Sequence, residues 1–186
     1  TALFLRRDGT FADVSKTSGA GIRIRGNGFV AADFHSDGFS DIYVTAAGND
    51  ALLWNDGEGH FREGARAAGI TAWGWHAGAA VGDVNGDGRP DLFVAGYTDV
   101  NAPIPGSESG FPNSHLGVRD LLYFNLGNDR NGHARFREVG EKAGIDTRVE
   151  HGLGAVFTDI NDDGRLDLYV ANDANPNRLY INVPGR

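Results

Sequence analysis

The chain is predicted to be all-β, built from propeller blades of four antiparallel strands each, and three observations predict it. A nine-residue acidic motif occurs three times, as Asp33-Phe-His-Ser-Asp37-Gly-Phe-Ser-Asp41, Asp83-Val-Asn-Gly-Asp87-Gly-Arg-Pro-Asp91 and Asp159-Ile-Asn-Asp-Asp163-Gly-Arg-Leu-Asp167. The apolar segments around each copy are short and rich in β-branched and aromatic residues. Gly supplies 28 of the 186 residues, roughly twice its usual share, which suits strands separated by tight turns. No segment holds a 3.6-residue apolar period over three turns; the best helical candidate, 63–68, is barely one turn.

The elements follow in order. A Gly stands five residues before each first Asp (Gly28, Gly78, Gly154) and opens a run of small or apolar residues, read as an inner strand. After each ninth-position Asp comes an apolar-aromatic-Val run, Ile42-Tyr43-Val44, Leu92-Phe93-Val94 and Leu168-Tyr169-Val170, read as the second strand. A third strand ends in Asn at Asn55, Asn125 and Asn182. A fourth carries Phe61-Arg-Glu63 or Phe136-Arg-Glu138 and exits through Ala68-Gly-Ile70 or Ala143-Gly-Ile145. The single segment 1–186 thus divides into a half blade over 1–20, a blade over 26–70, a blade over 76–145 with an insertion at 97–120, and an incomplete blade over 152–186. Complete propellers have about 4–8 blades. The expectation is therefore part of a longer propeller, or self-association in which the first strands of one copy complete the last blade of another.

The motif itself reads as a loop around one hard cation. Carboxylates fall at positions 1, 5 and 9 of every copy, and position 6 is always Gly, where the backbone must turn sharply. Position 3 is Asn85 and Asn161 in two copies but His35 in the first. Calcium suits a flexible many-oxygen loop better than magnesium, which demands a tight octahedron. The formal charge of −8 argues against nucleic acid or an anionic membrane as partner. Three bound dications would neutralise most of it. The absence of Cys excludes disulfides and thiolate metal sites, and no apolar run reaches the ~20 residues of a membrane span. No nucleophile elbow, Ser-His-Asp set or H-E-x-x-H spacing is visible, so no catalytic residue is assigned.

These segments resemble the integrin-type propellers with FG-GAP or VCBS repeats, and in particular the cartilage acidic protein group and its bacterial relatives. The segments carrying the resemblance are 83–94, 136–145 and 151–182. It implies an extracellular, cell-surface or periplasmic protein with roles in adhesion, matrix or assembly, and about one calcium per motif loop. The ligands it implies are the side chains at positions 1, 3, 5 and 9 with the carbonyl at position 7. These are Asp83, Asn85, Asp87, Arg89 (carbonyl) and Asp91 in the second loop. In the third they are Asp159, Asn161, Asp163, Arg165 (carbonyl) and Asp167. In the first they are Asp33, Asp37, Phe39 (carbonyl) and Asp41. Imidazole is a poor ligand for a hard cation, so the first loop is expected to bind more weakly.

The leading functional expectation is a non-enzymatic calcium-binding module with a protein or glycan partner. The alternatives are a lectin-like carbohydrate-binding module and an accessory domain of a secreted enzyme. Three further features stand outside the repeat. The insertion 97–120 reads as a loop, because Pro and Gly punctuate it, and serves either recognition or packing as a strap. Trp73, Trp75 and His76 are read as core or inter-blade packing before a stacking surface. His151 is read as a turn residue.

Overall fold

The computed structural model describes residues 1–145 and 148–184 and shows an all-β chain folded as a partial β-propeller, the predicted class. Asp146 and Thr147 lie outside the described residues, as do Gly185 and Arg186 at the end of the expected 152–186 segment. Strands β1 (Phe4–Arg7) and β2 (Thr10–Asp13) form a hairpin followed by the single turn α1 (Ser15–Ser18). A full blade follows: β3 (Gly26–Ala32), β4 (Asp41–Asn49), β5 (Ala51–Asn55) and β6 (Phe61–Glu63), each antiparallel to the last. The turn α2 (Ala65–Ala68) leads to β7 (Trp73–Gly82) and β8 (Asp91–Gly96) of the next blade. That blade is interrupted by β9 (Thr98–Pro103) and β10 (His115–Arg119) and completed by β11 (Leu121–Asn128) and β12 (Ala134–Glu138). After α3 (Gly140–Ala143) and the short β13 (Val149–Glu150), the last sheet is β14 (Gly152–Thr158), β15 (Asp167–Asn172) and β16 (Arg178–Tyr180).

Each acidic motif closes the hairpin between the first and second strand of its blade, with Ala32 paired to Asp41, Gly82 to Asp91 and Thr158 to Asp167. Inner strands crowd one another at the axis, and this explains the Gly five residues upstream of the first and second motifs, whereas a Cβ on Gly154, upstream of the third, would meet nothing within 4 Å. A Cβ on Gly28 would stand 2.6 Å from the Ala77 carbonyl oxygen, and one on Gly78 2.6 Å from that of Leu153. Any larger residue at these points pushes two backbones apart. The second strand of the first full blade also outruns its own partner, so Ala47 and Asn49 pair with Trp75 and Trp73 and the two blades share one continuous sheet.

Apolar side chains from facing blades fill two cores. Tyr43, Leu52 and Trp54 of one blade meet Leu92, Leu121, Tyr123 and Phe136 of the next. Phe93 and Leu122 meet Leu168 and Val170 across the second seam. Fully burying one such side chain contributes about 1.5–3 kcal/mol, so each seam is held mainly by this packing. The seams fix the relative positions of the three acidic hairpins.

The insertion departs from its reading as a loop. It is a β-hairpin, β9 against β10, with β13 added on the far side of β10, and only its tip is irregular. It straps the last two blades together: Tyr97 donates to Asp173 (3.0 Å), and Trp75, Tyr97 and Phe111 pack ring against ring at 5.2–6.0 Å. His151 is not a simple turn residue. It is buried, and its backbone N–H and Nδ1 both meet Asn175 Oδ1 (3.1 and 2.8 Å). The Trp-Gly-Trp-His segment splits: His76 is buried and Trp75 half-buried, but Trp73 is 67% exposed and belongs to no core.

Candidate metal centre

The three acidic loops share one hydrogen-bond skeleton. The position 1 carboxylate accepts the N–H groups of positions 5 and 6: Asp33 from Asp37 and Gly38 (3.1 and 2.8 Å), Asp83 from Asp87 and Gly88 (3.0 and 2.7 Å), Asp159 from Asp163 and Gly164 (3.0 and 2.7 Å). The position 5 carboxylate accepts the N–H of position 7, from Phe39, Arg89 or Arg165, at 2.9–3.0 Å. Position 9 joins the loop to the blade. Asp41, Asp91 and Asp167 each take the position 2 N–H on one oxygen (3.1 Å) and the N–H of the third-strand Asn on the other (2.8–2.9 Å). The turn needs left-handed backbone twice. Position 6 is Gly38, Gly88 and Gly164 (φ 91°, 83°, 83°), and position 4 is Ser36, Gly86 and Asp162 (φ 57°, 74°, 57°). Asx-type turns of this kind bend the loop around its own carboxylates.

The electrostatics are those of crowded negative charge. The three position 9 carboxylates are wholly buried. Burial pushes Asp91 up to about 6, with Asp87 and Asp83 adding to the rise, and burial likewise raises Asp41. In the second and third loops the donor set is all oxygen: three carboxylates and the side-chain amide of Asn85 or Asn161, whose oxygen already accepts the position 5 N–H (2.9 and 3.2 Å). Such a set fits a hard dication. Arg89 and Arg165 lie alongside, each pairing with the position 5 carboxylate (Asp87 or Asp163) and donating Nε–H to the carbonyl of Asn125 or Asn182 (2.9 Å).

The first loop is built differently. Position 7 is Phe39, whose ring packs against Gly57 instead of reaching Asp37. The side-chain partner of Asp37 comes from position 3 instead. His35 is buried, unlike exposed Asn85 and Asn161. Its Nε2 lies 2.8 Å from Asp37 Oδ2 and its Nδ1 2.8 Å from Asp41 Oδ2. The ring is held edge-on to Trp54 at 5.3 Å, and Trp54 in turn stacks on His133 at 5.5 Å.

Two other groupings carry roles that the sequence reading missed. The third-strand Asn side chains tie blade to blade: Asn125 Nδ2 donates to the Phe34 carbonyl and Asn182 Nδ2 to the Val84 carbonyl, both at 2.8 Å and both position 2 of the preceding blade's loop. The repeated Asn was visible as a strand end, but its carbonyl partner was not. Asp50 gathers Tyr43 (Oη–H donated at 2.6 Å), the Ala46 N–H (2.8 Å) and His76, whose Nδ1 stands 2.9 Å away outside hydrogen-bond alignment. All three side chains are buried, and burial, then Asp50, push Tyr43 well above its usual range. This cluster reads as a packing device, because its side chains are buried and face one another.

An FG-GAP-like repeat model matches residues 33–94, from the first acidic loop to the middle of β8. Cartilage acidic protein 1 of Mus musculus and of Homo sapiens are each 26% identical to this chain over 184 residues, covering 92% of it. The chain spans about a quarter of the length of these relatives, 25% and 24%. The match over residues 33–94 and the similarity to cartilage acidic protein 1 both support the relationship to FG-GAP repeats that the acidic loops suggest.

Proposed function

We propose that this chain is a non-catalytic, calcium-stabilised propeller segment that serves protein interaction, adhesion or assembly outside the cell. One observation carries the reading: the second and third loops repeat the same oxygen donors on the same hydrogen-bond skeleton. Asp83, Asn85, Asp87, Asp91 and the Arg89 carbonyl hold the ion in one, and Asp159, Asn161, Asp163, Asp167 and the Arg165 carbonyl in the other. The first loop contributes Asp33, Asp37, Asp41 and the Phe39 carbonyl, with lower affinity for calcium. The ion supplies positive charge at the mouth of each hairpin. The residues do the structural work: positions 1 and 5 shape the turn, and position 9 links it to the third strand. Loops with exposed carboxylates at position 5 and an exposed amide at position 3 suit the weak range of extracellular calcium modules, Kd about 10⁻⁴–10⁻³ M, which is filled only in a calcium-rich exterior.

The test is the melting temperature of the chain. EDTA is expected to lower it and excess calcium to restore it, with magnesium restoring much less. A melt that moves with neither reagent sinks the structural-calcium reading.

A further inference from the structure

Trp73 keeps 67% of its surface exposed although β7 holds it in register, directly opposite Asn49 of β4. Trp75 stands opposite Ala47 in the same pairing. Directly opposed residues of an antiparallel pair put their side chains on one face, so Trp73, Asn49, Ala47 and Trp75 share a face. Ala47 and Asn49 also form the floor of a cleft of about 700 Å³ walled by residues 21–25. Arg25 is tied to that floor, because its carbonyl accepts the Ala47 N–H at 2.9 Å. The cleft has the size of a small-molecule site, roughly 300–1,000 Å³, and Trp73 stands at its border beside Asn49.

The charge of this cleft runs against that of the chain. Arg23 and Arg25 line it with exposed side chains and, among the described residues, pair with no carboxylate, unlike Arg89, Arg165 and Arg178. Residues 1–25 carry Arg6, Arg7, Lys16, Arg23 and Arg25 against Asp8 and Asp13, a formal +3 in a chain of −8. The acidic hairpins do not cancel it. Strand β4 starts at Asp41, in the first hairpin, and ends at Asn49. A rise of ~3.3 Å per residue puts these ends roughly 25 Å apart, well beyond the Debye length of about 8 Å at physiological salt. Asp50, next in the chain, turns its carboxylate into the core onto Tyr43.

Two guanidinium groups, an amide and an exposed indole make separate demands on a ligand. The guanidinium fork matches an oxyanion bidentately. The indole offers a flat apolar face, which suits the C–H face of a pyranose ring, and the hydroxyl edge of such a ring can bond the Asn49 amide. We propose that this cleft binds an acidic saccharide, with its carboxylate or sulfate at Arg23 and Arg25 and its ring on Trp73. A nucleic acid fits worse, because its length meets the net negative charge of the rest of the chain. An acidic peptide without a flat ring leaves Trp73 bare. The assignment rests on the interaction role proposed above, and not on the calcium loops at the other end of β4.

The probes are trigalacturonate, a sulfated galactotriose and neutral galactotriose, each titrated into the full chain by calorimetry. Binding of at least one acidic trimer and not of the neutral one is expected, and which of the two binds tells carboxylate from sulfate. Trp73→Ala is expected to weaken that binding about tenfold, and the double variant Arg23→Ala, Arg25→Ala by about tenfold or more. Arg66→Ala, an exposed cation on α2, is expected to leave it unchanged. The proposal is overturned if neither acidic trimer binds at about 10 mM, or if the neutral trimer binds equally. It is also overturned if Trp73→Ala or the double arginine variant binds as the unaltered chain does, if Arg66→Ala weakens binding as much, or if an oligonucleotide or acidic peptide of equal charge binds as tightly. Should a variant fail to fold, saturation transfer from indole protons to sugar ring protons in the unaltered chain decides: present, it supports the site; absent, it rejects it. The two readings fail separately. Saccharide binding in a chain whose melt ignores calcium and EDTA defeats the calcium reading only, and a calcium-dependent melt without saccharide binding defeats this proposal only.

Discussion

The first acidic loop and the two that follow it share a backbone skeleton yet balance their charge by different means. In the second and third loops the position 5 carboxylate meets an arginine from position 7, on the half-exposed rim, and position 3 is an exposed amide. In the first loop position 7 is an apolar ring, and the partner of the position 5 carboxylate is a buried imidazole from position 3 that also reaches position 9. The difference teaches that the skeleton depends on backbone N–H groups and positions 1, 5 and 9. The chemistry presented inside it is set by positions 3 and 7. A repeat can therefore keep its fold while changing the side chains it gathers.

The comparison breaks most readily at position 9. In calcium-free buffer, Asp91→Ala leaves two backbone N–H groups without an acceptor and is expected to cost about 2–4 kcal/mol in urea unfolding. Asp41→Ala loses the same two bonds and the His35 contact, so it is expected to cost about 1.5 kcal/mol more. Equal losses would mean that His35 contributes nothing to the first loop. The next largest contrast concerns the third-strand Asn. Asn125→Ala abandons the buried Phe34 carbonyl and is expected to cost about 1–3 kcal/mol. Asn55→Ala gives up only the Ser40 carbonyl (3.0 Å) near the surface, and is expected to cost under about 1 kcal/mol. Each residue also accepts a Gly N–H, from Gly127 or Gly57, so that loss cancels.

Local pattern made much of this legible. Carboxylates at positions 1, 5 and 9 with Gly at position 6 marked three hairpin turns, and the apolar-aromatic-Val runs marked the strands on their far side. The upstream Gly was readable as the start of an inner strand. Its cause at Gly28 and Gly78, the carbonyl of the next inner strand, belongs to another blade. The same limit hid the role of Asn125, whose carbonyl partner lies 91 residues earlier in the chain. The insertion misled because Pro103 and Gly117 look like loop residues. Gly117 in fact lets β10 run against Glu150 in the later strand β13, and a Cβ there would strike the Glu150 backbone. His35 stood out as a departure from the motif. The sequence alone showed a poorer calcium ligand, and its burial between two carboxylates became visible only in the structure.

The smallest effect concerns the arginines. Arg89 pairs with Asp87 where the two side chains are 38% and 27% exposed, so Arg89→Ala is expected to cost less than about 1 kcal/mol in calcium-free buffer. Its effect on calcium has the opposite sign. The guanidinium occupies the carboxylate that the ion needs, and removing one nearby positive charge at this exposure is worth about 0.5–1 kcal/mol. Calorimetry should then show Arg89→Ala binding calcium a few-fold more tightly, whereas Phe39→Ala in the first loop, where no charge is lost, should leave metal affinity within about twofold. Weaker calcium binding in Arg89→Ala would mean that the guanidinium orients Asp87 for the ion instead of competing with it. The first loop, with Phe39 at position 7, would then lack that orienting group as well as the position 3 amide.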